Sequence, residues 1–223
     1  MLLSILIPTL LCRRELLDRL DRILRPQLTH EVEVIIQTDD GDQTIGEKRN
    51  LLLDRARGNH VCFIDDDDLI SPSYIALLTQ ALRDDPDAVG FRSAKWEQRT
   101  PTTSPMHVGT YVYRHDHAQC ADRLAGDFWI HERFIGHLQP VRRELALATR
   151  FQPWCHGEDR DYATRLRPLI KTARFVDAEL YQYHWRSEAV RFSEKVHPLR
   201  WHDPNQIRIE RSFPTRLPLK TEH

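Results

Sequence analysis

The 223 residues carry 32 Lys and Arg against 33 Asp and Glu, a formal net charge of −1, with 40% hydrophobic residues and only 8 Gly and 13 Pro. That composition excludes disordered, collagenous and low-complexity chains, and the balanced charge excludes an overall basic nucleic-acid binder. The charge is unevenly spread: residues 1–138 hold 16 basic and 22 acidic side chains, or −6, and residues 139–223 hold 16 and 11, or +5. A cation site early in the chain and an anionic partner late in it would suit that asymmetry.

The apolar opening from Met1 to Cys12 has no basic leader and no small-residue cleavage site, so it reads as a buried strand rather than a signal peptide. Residues 2–7, closed by Pro8, predict an interior strand of a parallel sheet. Leu16, Leu17, Leu20, Ile23 and Leu24 then repeat at helical spacing as far as Pro26. Residues 32–36 predict a second strand that runs into the polar loop Thr38-Asp39-Asp40-Gly41-Asp42. A helix over 44–57, stopped by Gly58-Asn59, precedes a third apolar strand at 60–64 that ends in Asp65-Asp66-Asp67-Asp68. Ser71 and Pro72 predict the cap and first position of another helix, with Tyr74, Ile75, Leu77, Leu78 and Leu82 on its buried face.

Residues 88–95 predict a fourth strand. Between Trp96 and Arg133 the pattern weakens, which predicts a loop or a small β excursion. A returning strand at 138–142, a helix at 158–169 and one or two strands at 174–185 complete the reading. Strands alternating with helices imply a doubly wound α/β sheet, in which ligands bind beyond the carboxyl ends of the strands. Both acidic loops lie at such ends.

Cys12, Cys62, Cys120 and Cys155 form no CxxC pair, which argues against a zinc ribbon or disulfide scaffold and favours a reducing, cytoplasmic location. His115, His117, His131 and His137 lack cysteine partners at zinc spacing and read as a solvated or acceptor-facing loop. No apolar run approaches the roughly 20 residues that span a bilayer.

Four adjacent carboxylates repel one another unless a cation or solvent relieves them. Mn²⁺ or Mg²⁺, which take oxygen ligands and keep positions for water and phosphate, are the natural partners; a solvated acidic turn is the competing reading. Glu158 and Asp159 open the late helix, where the macrodipole alone would favour them, and they follow Trp154-Cys155-His156-Gly157.

Taken in order, Ser4-Ile5-Leu6-Ile7-Pro8-Thr9, Asp39-Asp40-Gly41, Gly46-Glu47-Lys48-Arg49-Asn50, Gly58 to Asp68, and Gly157-Glu158-Asp159-Arg160-Asp161 resemble the soluble family 2 glycosyltransferases over roughly residues 2–190. The resemblance implies an α/β fold of the GT-A type: a Rossmann-like, nucleotide-binding, mixed and mainly parallel sheet flanked by helices in a single domain. Residues 1–95 would form the nucleotide-sugar half, 96–195 the acceptor and catalytic half, and 196–223 an extension. By the same resemblance, a UDP-sugar is the donor. Pro8 and Thr9 would line the nucleotide, Asp39 or Asp40 would accept from uracil, and Arg49 would stand near the nucleotide.

Asp65 would meet ribose or metal, Asp66 would belong to the same donor-binding set, and Asp67, joined by His184, would hold the metal. Asp68 would support them. Asp159 would be the general base, with Glu158 assisting it or binding the acceptor, and the sugar would transfer with inversion to a hydroxyl of a saccharide or another acceptor, hydroxymethylated DNA among the options. Leu10, Leu11 and Cys12 stand where the family commonly has an aromatic residue and Asn, and Asp42 where it has Ser. His197-Pro198-Leu199-Arg200-Trp201 departs from the Gln-x-x-Arg-Trp box of processive synthases. A dehalogenase-type phosphatase also sets Asp-x-Asp after a strand, but Asp68-Leu69-Ile70 lacks its Thr and that reading leaves Glu158-Asp159 unexplained. A binding module that has lost turnover is the third class, and the presence of every expected carboxylate argues against it.

Overall fold

A computed structural model describes residues 1–187. The order of elements is β1 (Leu3–Leu10), α1 (Arg14–Leu24), β2 (Val32–Asp39), α2 (Ile45–Arg55), β3 (His60–Phe63), β4 (Leu69–Ile70), α3 (Tyr74–Ala81) and β5 (Ala88–Gln98). There follow β6 (Met106–Tyr113), β7 (Ala121–Ala125), β8 (Phe128–Arg133), β9 (Val141–Arg142), α4 (Arg143–Thr149), α5 (Glu158–Leu166) and β10 (Ala173–Arg186). All ten strands join one sheet in the order β2-β1-β3-β9-β5-β6-β8-β7, with β10 along β5 and β4 on β10.

The mixed α/β sheet expected from the sequence is therefore present, flanked by helices in one domain. Its first part is parallel: β1 lies between β2 and β3, and all three run the same way. Alternation along β1 divides the core. Leu3, Ile5 and Ile7 face Leu20 and Leu24 of α1 and Tyr74, Ile75 and Leu78 of α3. Leu6 joins the other cluster with Leu52 and Leu53 of α2, Ala146 of α4 and Tyr162 and Leu166 of α5. Full burial of each such side chain stabilises the fold by roughly 1.5–3 kcal/mol. The parallel strands therefore deliver Thr9, Asp39 and the aspartate run to one rim of the sheet.

Several elements differ from expectation. The helix after the aspartates opens at Tyr74 rather than Pro72: Ser71 stays tied to β10 through its N–H and the Leu180 carbonyl at 2.9 Å, and residues 71–74 form a turn in which the Ser71 hydroxyl accepts from the Ser73 N–H at 3.2 Å and the Ser71 carbonyl from the Tyr74 N–H at 3.0 Å. Residues 96–133 form the β excursion: β6 is antiparallel to β5, β8 parallel to β6, and β7 antiparallel to β8. The returning strand shrinks to Val141–Arg142, since Pro140 has no N–H to donate. Of the one or two strands expected at 174–185, a single one forms, β10, with register shifts on either side of Glu179. The 197–201 box and the 196–223 extension lie outside the described residues.

Candidate active site

The donor-side residues meet at the carboxyl ends of β1, β2 and β3. In α2, the Thr44 and Glu47 side chains form a reciprocal cap that fixes the first turn. This helix presents Lys48 and Arg49, both buried, to the rim. Lys48 Nζ pairs with Asp39 and donates to the Thr9 carbonyl at 2.9 Å. Burial raises the Asp39 carboxyl, but Lys48 outweighs it and holds the group below the usual range. Asp39 is thereby committed within the fold, while Asp40 is exposed. Pro8 is buried in β1.

The aspartate run is relieved mainly by arginines. Asp66 is buried; its Oδ2 accepts from Thr9 Oγ1 at 2.6 Å and its Oδ1 from Arg13 Nη1 at 2.9 Å. Burial keeps the Asp66 carboxyl above its ordinary value despite Arg13. Thr9 and Asp66, both expected among the donor-binding residues, are thus in direct contact, and each satisfies the other's polar group inside the protein. Asp67 Oδ2 accepts from Arg186 Nη1 at 3.1 Å, and Arg186 Nη2 also reaches the Asp67 carbonyl at 3.0 Å. Asp68 accepts from the Tyr181 hydroxyl and from the His184 backbone N–H, each at 2.8 Å. Burial first, then Asp67 and Asp65, push the Asp68 carboxyl well above its ordinary value.

Arg49 links the two acidic motifs. Its Nη1 donates to Glu158 Oε1 at 2.5 Å and its Nη2 to Asp65 Oδ1 at 3.1 Å, with His137 Nε2 also 3.1 Å from Nη2. The guanidinium lies over the rings of Phe63 and Phe151 at 5.8 and 5.4 Å. Burial would raise the Asp65 carboxyl, yet Arg49 and His137 hold it well below the usual range. Arg49, expected near the nucleotide, is thus buried between carboxylates.

Two glycines bring the late motif to this rim. At Gly46 a Cβ would stand 1.8 Å from the Gln152 carbonyl oxygen, so only glycine lets the 152–154 segment close on α2, where the Gly46 N–H donates to the Trp154 carbonyl. Gly157 adopts φ +80° and turns the chain into α5. Glu158 is consequently buried against Arg49, and Asp159 is exposed. Asp159, Glu158, Asp65, Arg49 and His137 all line a cleft of about 910 Å³ whose far wall includes Tyr111 and Arg133 of the β excursion.

Among the described residues, no three metal-ligating side chains converge. Asp67 nevertheless fits a hard cation: its side chain is 27% exposed, and only Oδ2 is engaged by Arg186. A Mg²⁺ or Mn²⁺ held through one or two carboxylates and substrate phosphates needs no full protein cage. His184 sits in β10 with its ring stacked on Trp96, centroids 6.2 Å apart.

Lys48, Tyr181, Arg13 and Arg186 were not singled out as site residues by sequence reasoning. Partners 53 to 119 residues away for Asp66, Asp67 and Asp68 carry no local signal.

The model of glycosyltransferase-like family 2 matches residues 7–199, and the chain belongs to that family. No curated protein sequence matches it. Among solved structures, residues 1–349 of TarS from S. aureus are similar with a TM-score of 0.60 and 15% identity, over 82% of this chain and 60% of that one. The same TarS segment in complex with UDP-GlcNAc gives 0.61 and 15%, over 86% and 61%; in complex with UDP it gives 0.57 and 16%, over 83% and 61%. At this identity the likeness shows the fold, and the chain spans about three-fifths of the length of these relatives. No helix among the described residues is long and apolar enough to cross a membrane.

Proposed function

We propose that the protein transfers a sugar from a UDP-sugar to a hydroxyl acceptor by single displacement, with inversion, at the cleft between α2 and α5. Family membership and the TarS complex with UDP-GlcNAc support the donor class. The observation that carries the reading is a contrast among cleft-lining carboxylates. Asp65 and Glu158 share Arg49, Asp122 pairs with Arg133, and Asp159 alone among them has no cationic side chain as partner within the described residues. An exposed, unpaired carboxylate is the group suited to take the proton of an attacking hydroxyl.

In this reading Asp159 is the general base and Glu158, fixed by Arg49, sets its position. Asp40, rather than the committed Asp39, is the acceptor for the uracil N–H. Asp67 would hold Mn²⁺ or Mg²⁺, which when bound offsets charge building on the departing diphosphate. Residues 1–95 form the donor half and 96–195 the acceptor half. The His184 ring remains a candidate second metal ligand.

The test is UDP release from a panel of UDP-sugars with Mn²⁺ and with chelator, for wild type, Asp67→Ala and Asp159→Asn. Turnover of one donor, abolished by chelator and by Asp67→Ala, and acceptor-dependent turnover lowered about 10²-fold or more by Asp159→Asn, are the expected results. Absence of both turnover and UDP binding would remove the proposal.

A further inference from the structure

The aspartate run has two sides. Asp65 pairs with Arg49 and lines the cleft, whereas Asp66 and Asp67 lie outside the cleft lining and pair with Arg13, just before α1, and with Arg186 at the end of β10. Arg19, in the second turn of α1, stands at this outer corner: the charges that act on it most strongly are Arg186, Asp67 and Asp66.

Arg13 and Arg186 each hold a carboxylate, and Arg19 holds none. It makes no hydrogen bond or ion pair among the described residues, and its Nε and Nη2 are enclosed by protein without a partner. Glu15, one turn earlier on α1, acts on it more weakly than Asp66 and forms no ion pair with it among the described residues. Burial first, and then Arg186, hold the Arg19 guanidinium below its ordinary value, although Asp67 and Asp66 pull the other way. Three guanidinium groups thus share two carboxylates, and Arg19 is the surplus cation. A charge enclosed without a counter-ion destabilises a fold, so a chain keeps one where a ligand completes it.

We propose that Arg19 is a donor-binding residue and that its counter-ion is the β-phosphate of the UDP-sugar, bound over Asp67 with Arg186 beside it. The proposal rests on the transferase reading and adds to it a contact from α1. A bare carboxylate or a lone anion at this corner would meet Asp66 and Asp67. A diphosphate accompanied by a divalent cation presents that cation to Asp67 and its own oxygens to Arg19. In transfer, the bond between the sugar carbon and the β-phosphate oxygen breaks and its electron pair stays on that oxygen. The acceptor oxygen takes its place on the carbon, and the acceptor proton passes to Asp159. The charge gained by the leaving group then develops on the phosphate that Arg19 holds, and the helix has already fixed the guanidinium there.

Calorimetric titration with UDP, UMP and inorganic pyrophosphate in magnesium buffer, beside thermal melting, tests this. Arg19→Met removes the charge at nearly equal helix propensity. UDP and pyrophosphate should bind it about tenfold more weakly, the loss expected for one charge-assisted hydrogen bond, and UMP within about twofold of wild type. The melting temperature without ligand should hold or rise, because an uncompensated cation has gone. Arg19→Lys should recover part of the pyrophosphate affinity. Arg22→Met, at an exposed cation of the same helix, should bind like wild type. Unchanged pyrophosphate affinity in Arg19→Met overturns the assignment. So does a lowered melting temperature with UDP and UMP weakened alike, the mark of a structural arginine.

Wild-type UDP release measured in parallel separates the two proposals. Donor turnover together with normal pyrophosphate binding by Arg19→Met removes this contact alone. Pyrophosphate binding that depends on Arg19, in a protein that neither binds UDP nor turns over a donor, removes the transferase and the donor role of Arg19 with it.

Discussion

Arg49 shows how one buried side chain ties local chemistry to stability. It is 4% exposed and neutralises Asp65 and Glu158 together. Arg49→Ala would leave both carboxylates without that cation, and removing one partner of a buried pair costs about 3–5 kcal/mol. Urea unfolding should show that loss. Arg49→Lys should fall between the two, since an ammonium cannot reproduce the planar fork; an unchanged midpoint in either variant would sink this role. At this scale the sequence was legible for residue types and partly for roles. Asp65 to Asp68, Glu158 and Asp159 do gather at one rim. What it did not reveal is which carboxylates are spent inside the fold, because Thr9 with Asp66 and Lys48 with Asp39 are pairings made only by tertiary structure.

Among the elements, the strands and helices of the first 95 residues were readable from apolar runs and helical spacing, as β1, α1, β2, α2 and β3 attest. The β excursion was left open against a loop, since β7 is largely exposed and β8 mostly half-buried, without the alternation that marks a strand with one buried face. Gly46→Ala tests the closure of the late loop on α2. Its methyl would overlap the Gln152 carbonyl, so a loss of about 1–3 kcal/mol is expected in thermal unfolding, with donor turnover falling as α5 is displaced. Wild-type melting and turnover would mean the loop docks by other contacts.

The irregular strand β10 gives a pH prediction. Burial, only partly relieved by Arg92, pushes the Glu179 carboxyl up to about 7. Its unfolded value is about 4.3, so the native state holds the proton more tightly. The resulting stability is complete below that unfolded value and is lost as pH rises toward about 7. Glu179→Gln cannot lose a proton. Its stability relative to wild type should therefore grow across this window by on the order of 1–2 kcal/mol, and a pH-independent difference would contradict the burial argument.

For the whole molecule, the fold class and the order of motifs were legible, while the arginine lining of the acidic rim was not. That lining sets a prediction for ligand binding. A ligand that binds only the folded state stabilises it by about 2.7 kcal/mol at 100 times its dissociation constant. UDP with Mn²⁺ should raise the melting temperature more than UDP with chelator. Equal shifts would mean that guanidinium groups alone offset the diphosphate.

The partners of the aspartate run also bear on how the chain reaches its native state. Asp65 pairs with Arg49, 16 residues away, Asp66 with Arg13 at 53, and Asp67 and Asp68 with Arg186 and Tyr181 at 119 and 113. Contacts this distant in sequence form late, after shorter loops have closed. On a ribosome Arg13 and Arg49 emerge before the carboxylates they pair with, whereas Asp67 and Asp68 would stay hydrated until β10 has been made, so the acidic rim is completed only when nearly all of the described chain has been synthesised.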